Sequence, residues 1–458
     1  MPNDPEEALP PDSPAALALE RGRDRRKRVP RSAHAGWELR PPQAAVDSVV
    51  AANEDRIEEL VPVRMGRMAA SPFAFLRGSA AAMAMDLSRT PAMGESVQAC
   101  GDAHLANFGI YASPERRLVF DLNDFDETHP GPWEWDLKRL AASFVVASRE
   151  NALDEPTSRE MARRAVAAYR TWIRRYATSK ALDVWYAHIP VEELLARIER
   201  PRFKTRLRVS LDDARRRDNM AALGKLSRRD GDSWLIEDKP PLLVRLADDD
   251  PLRAGIPALF RGYVRSLVPD RRVLVERYRI VDAALKVVGV GSVGTRCYVG
   301  LFAGPAGGPL VLQVKEARTS VLAPYMRRKV RGHQGKRVVE GQRITQAFSD
   351  IFLGWTHSPT TGKDYYVRQL YDMKYGIDLD GVQAPGMGLY ADICGWALAR
   401  AHARSGNPAT IAGYVGGAGA FDDAVTAFAA AYADQTERDH AAFVAEIKAG
   451  RIAAELGV

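Results

Sequence analysis

Apolar residues recur at helical spacing through most of the chain, while strand-like runs gather in one later stretch. From about Ala44 the spacing of Val49, Ile57, Leu60 and Val61 predicts helix. Ser71-Pro72 offers a cap followed by a first-turn proline, and Phe73 to Leu87 reads as a second helix with Gly78 as its soft spot. Asp136 to Ala147 is apolar on one side, residues 158–179 form an amphipathic helix, and basic, helix-prone sequence continues to about 227. The texture changes near residue 275. Leu285 to Gly291, Cys297 to Phe302 and Leu310 to Val314 are β-branched or aromatic runs separated by glycines and predict strands, with a Gly304–Pro309 turn between two of them. Helical spacing returns at Arg337 to Phe348, another strand is predicted at Tyr365 to Tyr371, and helix is predicted from Leu389 to the end. Residues 1 to about 36, rich in Pro, Ala, Arg and Asp, read as a disordered basic tail.

Composition narrows the picture. At 458 residues the chain exceeds what one hydrophobic core usually serves, so two or three packed units are expected. No apolar run approaches the roughly 20 residues of a membrane helix. Asp4, Glu6 and Glu7 in an opening without an apolar segment do not read as a secretory signal. Cys100, Cys297 and Cys394 are far apart and form no CxxC pair, which argues against a disulfide framework or zinc site and leads us to expect a cytoplasmic protein. The net charge is +7, much of it between Arg21 and Arg31. A solvated tail is the plain reading, with contact to nucleic-acid or other anionic phosphates as the sharper one. No aromatic residues interleave there to stack on bases.

The chemistry concentrates in Cys100-Gly101-Asp102-x-His104-x-x-Asn107, followed by Asp121-Leu122-Asn123-Asp124-Phe125-Asp126-Glu127. Activating a hydroxyl toward a phosphoryl group needs a carboxylate beside it, and Mg²⁺ needs oxygen ligands. The first motif resembles the H-G-D-x-H-x-x-N loop of the aminoglycoside and choline kinase-like superfamily, with Cys100 where that His would stand. Asp124 through Gly131-Pro132 to Asp136-Leu137 resembles the second acidic run of such kinases. The resemblance implies Asp102 as the base, His104 beside the transferring phosphate, Asn107 and Asp124 as metal ligands with Asp126 assisting, and Asp136 as a structural acid holding the loop. Asp121 competes with Asp124 for the metal. An EF-hand is disfavoured, since no glycine falls at its sixth position.

Gly289-Val290-Gly291-Ser292-Val293-Gly294 lies between two predicted strands, and Lys315 ends the apolar strand Leu312-Gln313-Val314. Gly289, Gly291, Ser292 and Gly294 let backbone N–H groups approach phosphate oxygens, and Lys315 adds a fixed charge. A dinucleotide fingerprint is disfavoured because strand follows the glycines. Kinase-like resemblance implies a Glu partner for Lys315, for which Glu340 is the candidate. It also implies an adenine-holding hinge near Gln369, Leu370 and Tyr371. Ile393 to His402 resembles the helix that ordinarily precedes the catalytic loop, yet here that loop came first. The implied fold is α+β and two-lobed, a protein-kinase-like fold in circularly permuted order. Its expected parts are a helical lobe at 37–275, a small sheet-rich nucleotide-binding lobe at 276–375, and helices returning to the large lobe at 376–458. Arg64 and Arg77 are expected at the surface, with phosphate or acidic-substrate binding as the alternative.

As a whole the sequence resembles the bacterial domain-of-unknown-function family 2252. The match rests on Ser71 to Gly78, Gly101 to Gly109, Asn123 to Glu127, Gly289 to Thr295, Leu312 to Ala317, Val338 to Gln342 and Tyr432-Ala433-Asp434-Gln435. The expected function is an ATP- and Mg²⁺-dependent phosphotransferase acting on a small-molecule hydroxyl, with no membrane partner. The alternatives are a nucleotide-binding pseudokinase or a nucleotidyltransferase on the same fold. A metal-dependent phosphoesterase is a more distant alternative, because Gly-Asp-x-His opens such sites but the further His ligands they need do not follow.

Overall fold

The computed structural model describes residues 9–197, 219–230, 233–247, 249–327, 329–370 and 373–457, with isolated positions between 204 and 216. The chain is a mixed α+β protein with several antiparallel sheets.

The large unit is built on helices from both ends of the sequence. Helices α1 (Pro14–Arg28), α2 (Pro42–Ala51), α3 (Val61–Ala69), α4 (Pro72–Gly78), α5 (Ala80–Leu87), α6 (Trp133–Glu150) and α7 (Glu155–Ala177) come from the first part. The helices Ala384–Ser405, Pro408–Val415 and Ala420–Lys448 come from the last. Every residue of α6 from Trp133 to Ser148 is buried, so this helix is the axis of the unit. Asp154 caps α7, accepting the Thr157 N–H at 2.9 Å. Gly395 lets helix Ala384–Ser405 lie against the α7 backbone, where a Cβ would overlap the Ala165 carbonyl. Trp172 and Trp396 stack across the same contact at 4.1 Å. Two small sheets sit on this scaffold: β1 (Ser96–Ala99) with β4 (His129–Pro132), and β2 (Phe108–Ala112) between β3 (Leu118–Leu122) and the short strand Tyr375–Gly376. A separate hairpin pairs β5 (Ser227–Asp230) with β6 (Ser233–Ile236).

The second unit is a six-stranded antiparallel sheet in the order β11-β12-β10-β9-β8-β7. Its strands are β7 (Leu243–Arg245), β8 (Arg279–Lys286), β9 (Cys297–Ala303), β10 (Pro309–Glu316), β11 (Gly354–Ser358) and β12 (Lys363–Gln369). Lys315 faces Cys297 on β9 and Tyr366 on β12. Helix Gln334–Thr345 joins β10 to β11.

Three expectations need correction. The sheet unit begins well before 276. Strand β7 pairs with β8, and the buried Asp282 on β8 accepts the Ile236 N–H at 2.9 Å, Arg245 at 2.8 Å and Arg253 at 2.9 Å. Helix Pro251–Ser266 covers the sheet, with Ser266 Oγ accepting the Trp355 N–H. Single polar residues far apart in sequence make these joins, so apolar periodicity could not show them. Second, β8 ends at Lys286 and residues 287–296 form the glycine loop, although Leu285 to Gly291 had read as strand.

Third, much of the basic tail is helical. Ser13 caps α1 by accepting the Ala16 N–H at 3.2 Å. Gly22 crosses helix Pro408–Val415 so closely that a Cβ would overlap the Thr410 carbonyl. Arg26 bonds the Gly413 and Tyr414 carbonyls, and Arg31 the Val415 carbonyl, so these cations satisfy the end of that helix. Residues 1–8 lie outside the described part.

Candidate active site

The Asp102 loop is held from beneath by α6. The Asp136 carboxylate accepts the Cys100 N–H at 2.6 Å and the Gly101 N–H at 2.9 Å. His402, from the helix 384–405, lies 3.2 Å from the same carboxylate and 3.0 Å from the Tyr169 hydroxyl. Gly101 has φ +84°, and a Cβ there would overlap the Glu127 backbone. The Asp102 carbonyl accepts the Asn107 side-chain N–H at 2.8 Å and the His104 N–H at 2.9 Å, closing a compact turn. Asn107 thereby spends its amide nitrogen and keeps its amide oxygen.

Asp102 forms an ion pair with Arg139 of α6, and its other oxygen lies 3.8 Å from His104 Nε2. Burial pushes the Asp102 carboxyl up, and Arg139 works against that shift. His104 is buried, with Nδ1 unpartnered and the ring edge-on to Phe73. Burial, then Arg139 and Arg77, hold its pKa well below the usual imidazole value, so the ring is neutral.

Asp124, Asp126 and Lys315 meet although Lys315 is 189 residues from Asp126. Lys315 ion-pairs with Asp126 and stands 4.0 Å from Asp124. Asp126 also accepts the Tyr366 hydroxyl at 2.8 Å and Ser292 Oγ at 3.4 Å, which brings the glycine loop over the acids. Burial raises Asp124, but Lys315, then Arg368 and Lys374, overcome it and bring the carboxyl down to about 2. Burial opposes the Lys315 charge, and Asp124 and Asp126 outweigh it, so its pKa stands well above the ordinary range. Burial and Arg368 pull Lys374 down to about 7.

Asp124 and Asp126 line a cleft of about 760 Å³ between the two units, whereas Lys315, which pairs with them, is buried. Asp102, His104, Asn107, Asp124 and Asp126 lie on one side, and Gly289, Gly291 and Ser292 close it from the other. The loop takes positive φ at Gly289 (+68°) and Gly294 (+84°). It is seated on the N-terminal helices, with the Ile57 N–H on the Gly294 carbonyl and Arg67 on the Gly289 carbonyl. Arg64 and Arg77 also line the cleft, so the surface reading of both is corrected: Arg64 is 1% exposed and binds the Val49 and Gly78 carbonyls. Burial lowers the Arg77 pKa, while Asp102 and then Asp124 support its charge.

Other expected residues are placed elsewhere. Glu340 is exposed on helix 334–345 and faces Lys336 at 3.6 Å, so it does not pair with Lys315. The inner face of that helix instead presents Arg337, which binds the Thr128, Asp126 and Arg318 carbonyls. The Gln369 N–H is spent on Asp350 and the Leu370 N–H on the Val311 carbonyl, so neither offers the backbone donor expected of a hinge. Tyr371 lies outside the described residues. Asp121 is 1% exposed, bound by Arg400 at 2.6 and 2.7 Å and by the Ala347 N–H, and takes no part in the cleft.

Sequence reasoning missed Arg139, Tyr366, Arg368 and Lys374, which surround the acids from α6, β12 and the segment after it. An alternation pattern in β12 placing Tyr366 and Arg368 on one face was the available signal. Among the described residues no group of three or more His, Cys, Asp or Glu side chains is arranged to hold a metal by itself.

No curated protein and no solved structure matches the chain. No helix among the described residues is long and apolar enough to cross a membrane. The loop, the acidic cluster, the glycine loop and Lys315 all fall inside residues 56–446, which match the family model described as "Uncharacterized protein conserved in bacteria" (DUF2252), and the chain belongs to that family.

Proposed function

We propose that this protein is an ATP- and Mg²⁺-dependent phosphotransferase with a circularly permuted kinase-like organisation, acting on a small-molecule hydroxyl. The observation that carries the reading is that Asp124, Asp126 and the Asp102–Asn107 loop share one cleft with the Ser292 loop, and that the buried Lys315 pairs with those two acids. The order along the sheet unit supports it: strand, glycine loop, strand, lysine strand, helix, two strands, and then the helix that carries His402 to Asp136.

Each residue then has a task. Asp102 orients the acceptor hydroxyl and takes its proton, its raised pKa suiting a base, while Arg139 fixes its position. Neutral His104 stands beside Asp102 as a hydrogen-bond donor toward the transferring group. Lys315 and the backbone N–H groups of the glycine loop bind phosphate oxygens. The free oxygens suit Mg²⁺: Asn107 retains its amide oxygen, and Asp124 is ionised with its side chain one-third exposed. Asp126 joins them when Lys315 turns to phosphate. A magnesium ion there would offset the charge on the phosphates, its remaining ligands being water and phosphate oxygens, as is usual for this ion. Glu340 has no task in this scheme.

The test is incubation with Mg²⁺ and γ- or α-labelled ATP and candidate acceptors, beside Asp102→Ala and Lys315→Ala variants. Transfer from the γ position, abolished in both variants, is expected. Transfer of the α label would make the protein a nucleotidyltransferase, nucleotide binding without turnover a pseudokinase, and absence of nucleotide binding would sink the reading.

A further inference from the structure

Arginines crowd the cleft, and nearly all are committed. Arg56 bonds the Ala52 carbonyl at 2.9 Å and the Val293 carbonyl. Arg64 bonds Val49, Asn53 and Gly78. Arg318 bonds the Ala52 and Glu54 carbonyls, and Arg139 holds Asp102. Arg77 differs. Arg64 also leaves its Nε unpartnered but is held through its other nitrogens, whereas among the described residues the Arg77 guanidinium makes no hydrogen bond. The Arg77 Nε is buried, and the guanidinium's contact is with the Phe73 ring, 6.0 Å from the centroid. A half-buried cation facing a cleft, with its buried Nε–H unpartnered, calls for an anion.

Its position says whose anion. Arg139 bonds both Asp102 and the Leu76 carbonyl at 2.9 Å, which brings the end of α4 beside the Asp102 carboxylate. Residue 77 also lies under the tip of the glycine loop, where a Cβ on Gly291 would sit 3.1 Å from the Arg77 carbonyl. Lys315, on β10 and paired with Asp126, serves the nucleotide in the phosphotransferase reading. A group lying past the nucleotide's phosphates, next to Asp102, belongs to the acceptor. Resting on the phosphotransferase reading, we infer that the acceptor carries an anionic group, a carboxylate or a phosphate, and that Arg77 binds it. Asp102 and Asp124 would repel such an acceptor, and Arg77 is the charge that offsets them.

The probe is sulfate, titrated calorimetrically into the full-length protein saturated with Mg²⁺ and the non-hydrolysable analogue AMP-PNP, so that the nucleotide's own phosphate positions are filled. Sulfate should bind the wild type at one site, at least tenfold more weakly to Arg77→Ala, and with partial recovery in Arg77→Lys. AMP-PNP affinity should stay within threefold in both variants. Sulfate that fails to bind the loaded wild type, or binds Arg77→Ala equally well, overturns the inference. So does a parallel loss of AMP-PNP binding in Arg77→Ala, which would assign Arg77 to the nucleotide. A wild type that does not bind AMP-PNP refutes the phosphotransferase reading instead; the sulfate titration of the nucleotide-free protein and its variants then decides the anion site alone. Arg77→Lys keeps the experiment decisive if the alanine variant does not fold.

Discussion

Replacing Asp136 by Asn tests whether the Asp102 loop is held in place by one buried carboxylate. The side chain is 1% exposed, and its two oxygens accept the Cys100 and Gly101 N–H groups at 2.6 and 2.9 Å. An amide of the same shape has one acceptor oxygen, so however it is turned one backbone N–H faces an NH₂ group. Losing one hydrogen bond to a charged group and leaving its buried donor unpaired costs about 2–4 kcal/mol. Against a total stability of about 5–15 kcal/mol the variant still folds. Urea denaturation should therefore show a loss of about 2–4 kcal/mol relative to the wild type. Function should fall further, since a displacement of about 1 Å at a reacting group can cost about 100-fold. On the proposed function, labelled phosphoryl transfer should drop by that order, while nucleotide affinity, which that reading assigns to Lys315 and the glycine loop, should change less than about threefold, a difference below 1 kcal/mol. A variant within about 0.5 kcal/mol of the wild type would refute the argument, because it would show that the carboxylate is not what holds the loop.

Gly101→Ala should act on the same loop by sterics, because φ is +84° and the new Cβ would meet the Glu127 backbone; a denaturation midpoint equal to the wild type's would show that the loop moves freely. Lys138 is fully buried, its ammonium has no hydrogen-bond partner, and it sits 4.5 Å above the Phe428 ring. Burial lowers its pKa from 10.5 to about 8, with Glu134 opposing. That shift corresponds to about 3 kcal/mol, and a cation–π contact returns about 1–2, so Lys138→Met should stabilise the protein at pH 7 by about 1–2 kcal/mol. Between pH 8 and 10.5 the unfolded chain binds this proton more tightly than the folded one, so wild-type stability gains from this group as pH rises, and the variant should lack that gain. A destabilised Lys138→Met protein at pH 7 would refute the burial argument. Gly22→Val should cost about 1–3 kcal/mol in thermal unfolding by forcing α1 off helix Pro408–Val415, and an unchanged melting temperature would mean that α1 does not dock there.

Much of the local structure was legible along the chain because its causes are local. Ser71 does cap α4, accepting the Ala74 N–H at 3.1 Å, and the soft spot at Gly78 is where the predicted helix divides into α4 and α5. The Tyr432 to Gln435 motif was visible, yet its purpose was not. Tyr432 bonds Asp86, and Gln435 bonds Arg40 and Asp439, in a buried network linking three distant segments. Asp136 was expected to hold the Asp102 loop, and both of its oxygens are on that loop's N–H groups.

Charged residues divided differently. Asp121 lies three positions before Asp124, the expected metal ligand, and is its rival for that role on spacing. Asp121 is spent on Arg400, 279 residues away, whereas Asp124 opens into the cleft. Glu340 and Arg337 lie on one helix, and only its docking against the Asp126–Thr128 segment turned Arg337 inward and left Glu340 to solvent. The sequence by itself marked most of the helices between α2 and the C-terminus and the strands at Cys297–Ala303, Pro309–Glu316 and Lys363–Gln369, since capping, periodicity and glycine's freedom act within a few residues. It did not show α1 or the start of the sheet, which depend on distant partners. Tertiary structure alone decided which of several similar acids and bases faces the cleft. An ion pair's partner is set by chain segments hundreds of residues apart, and burial decides which charges must find one.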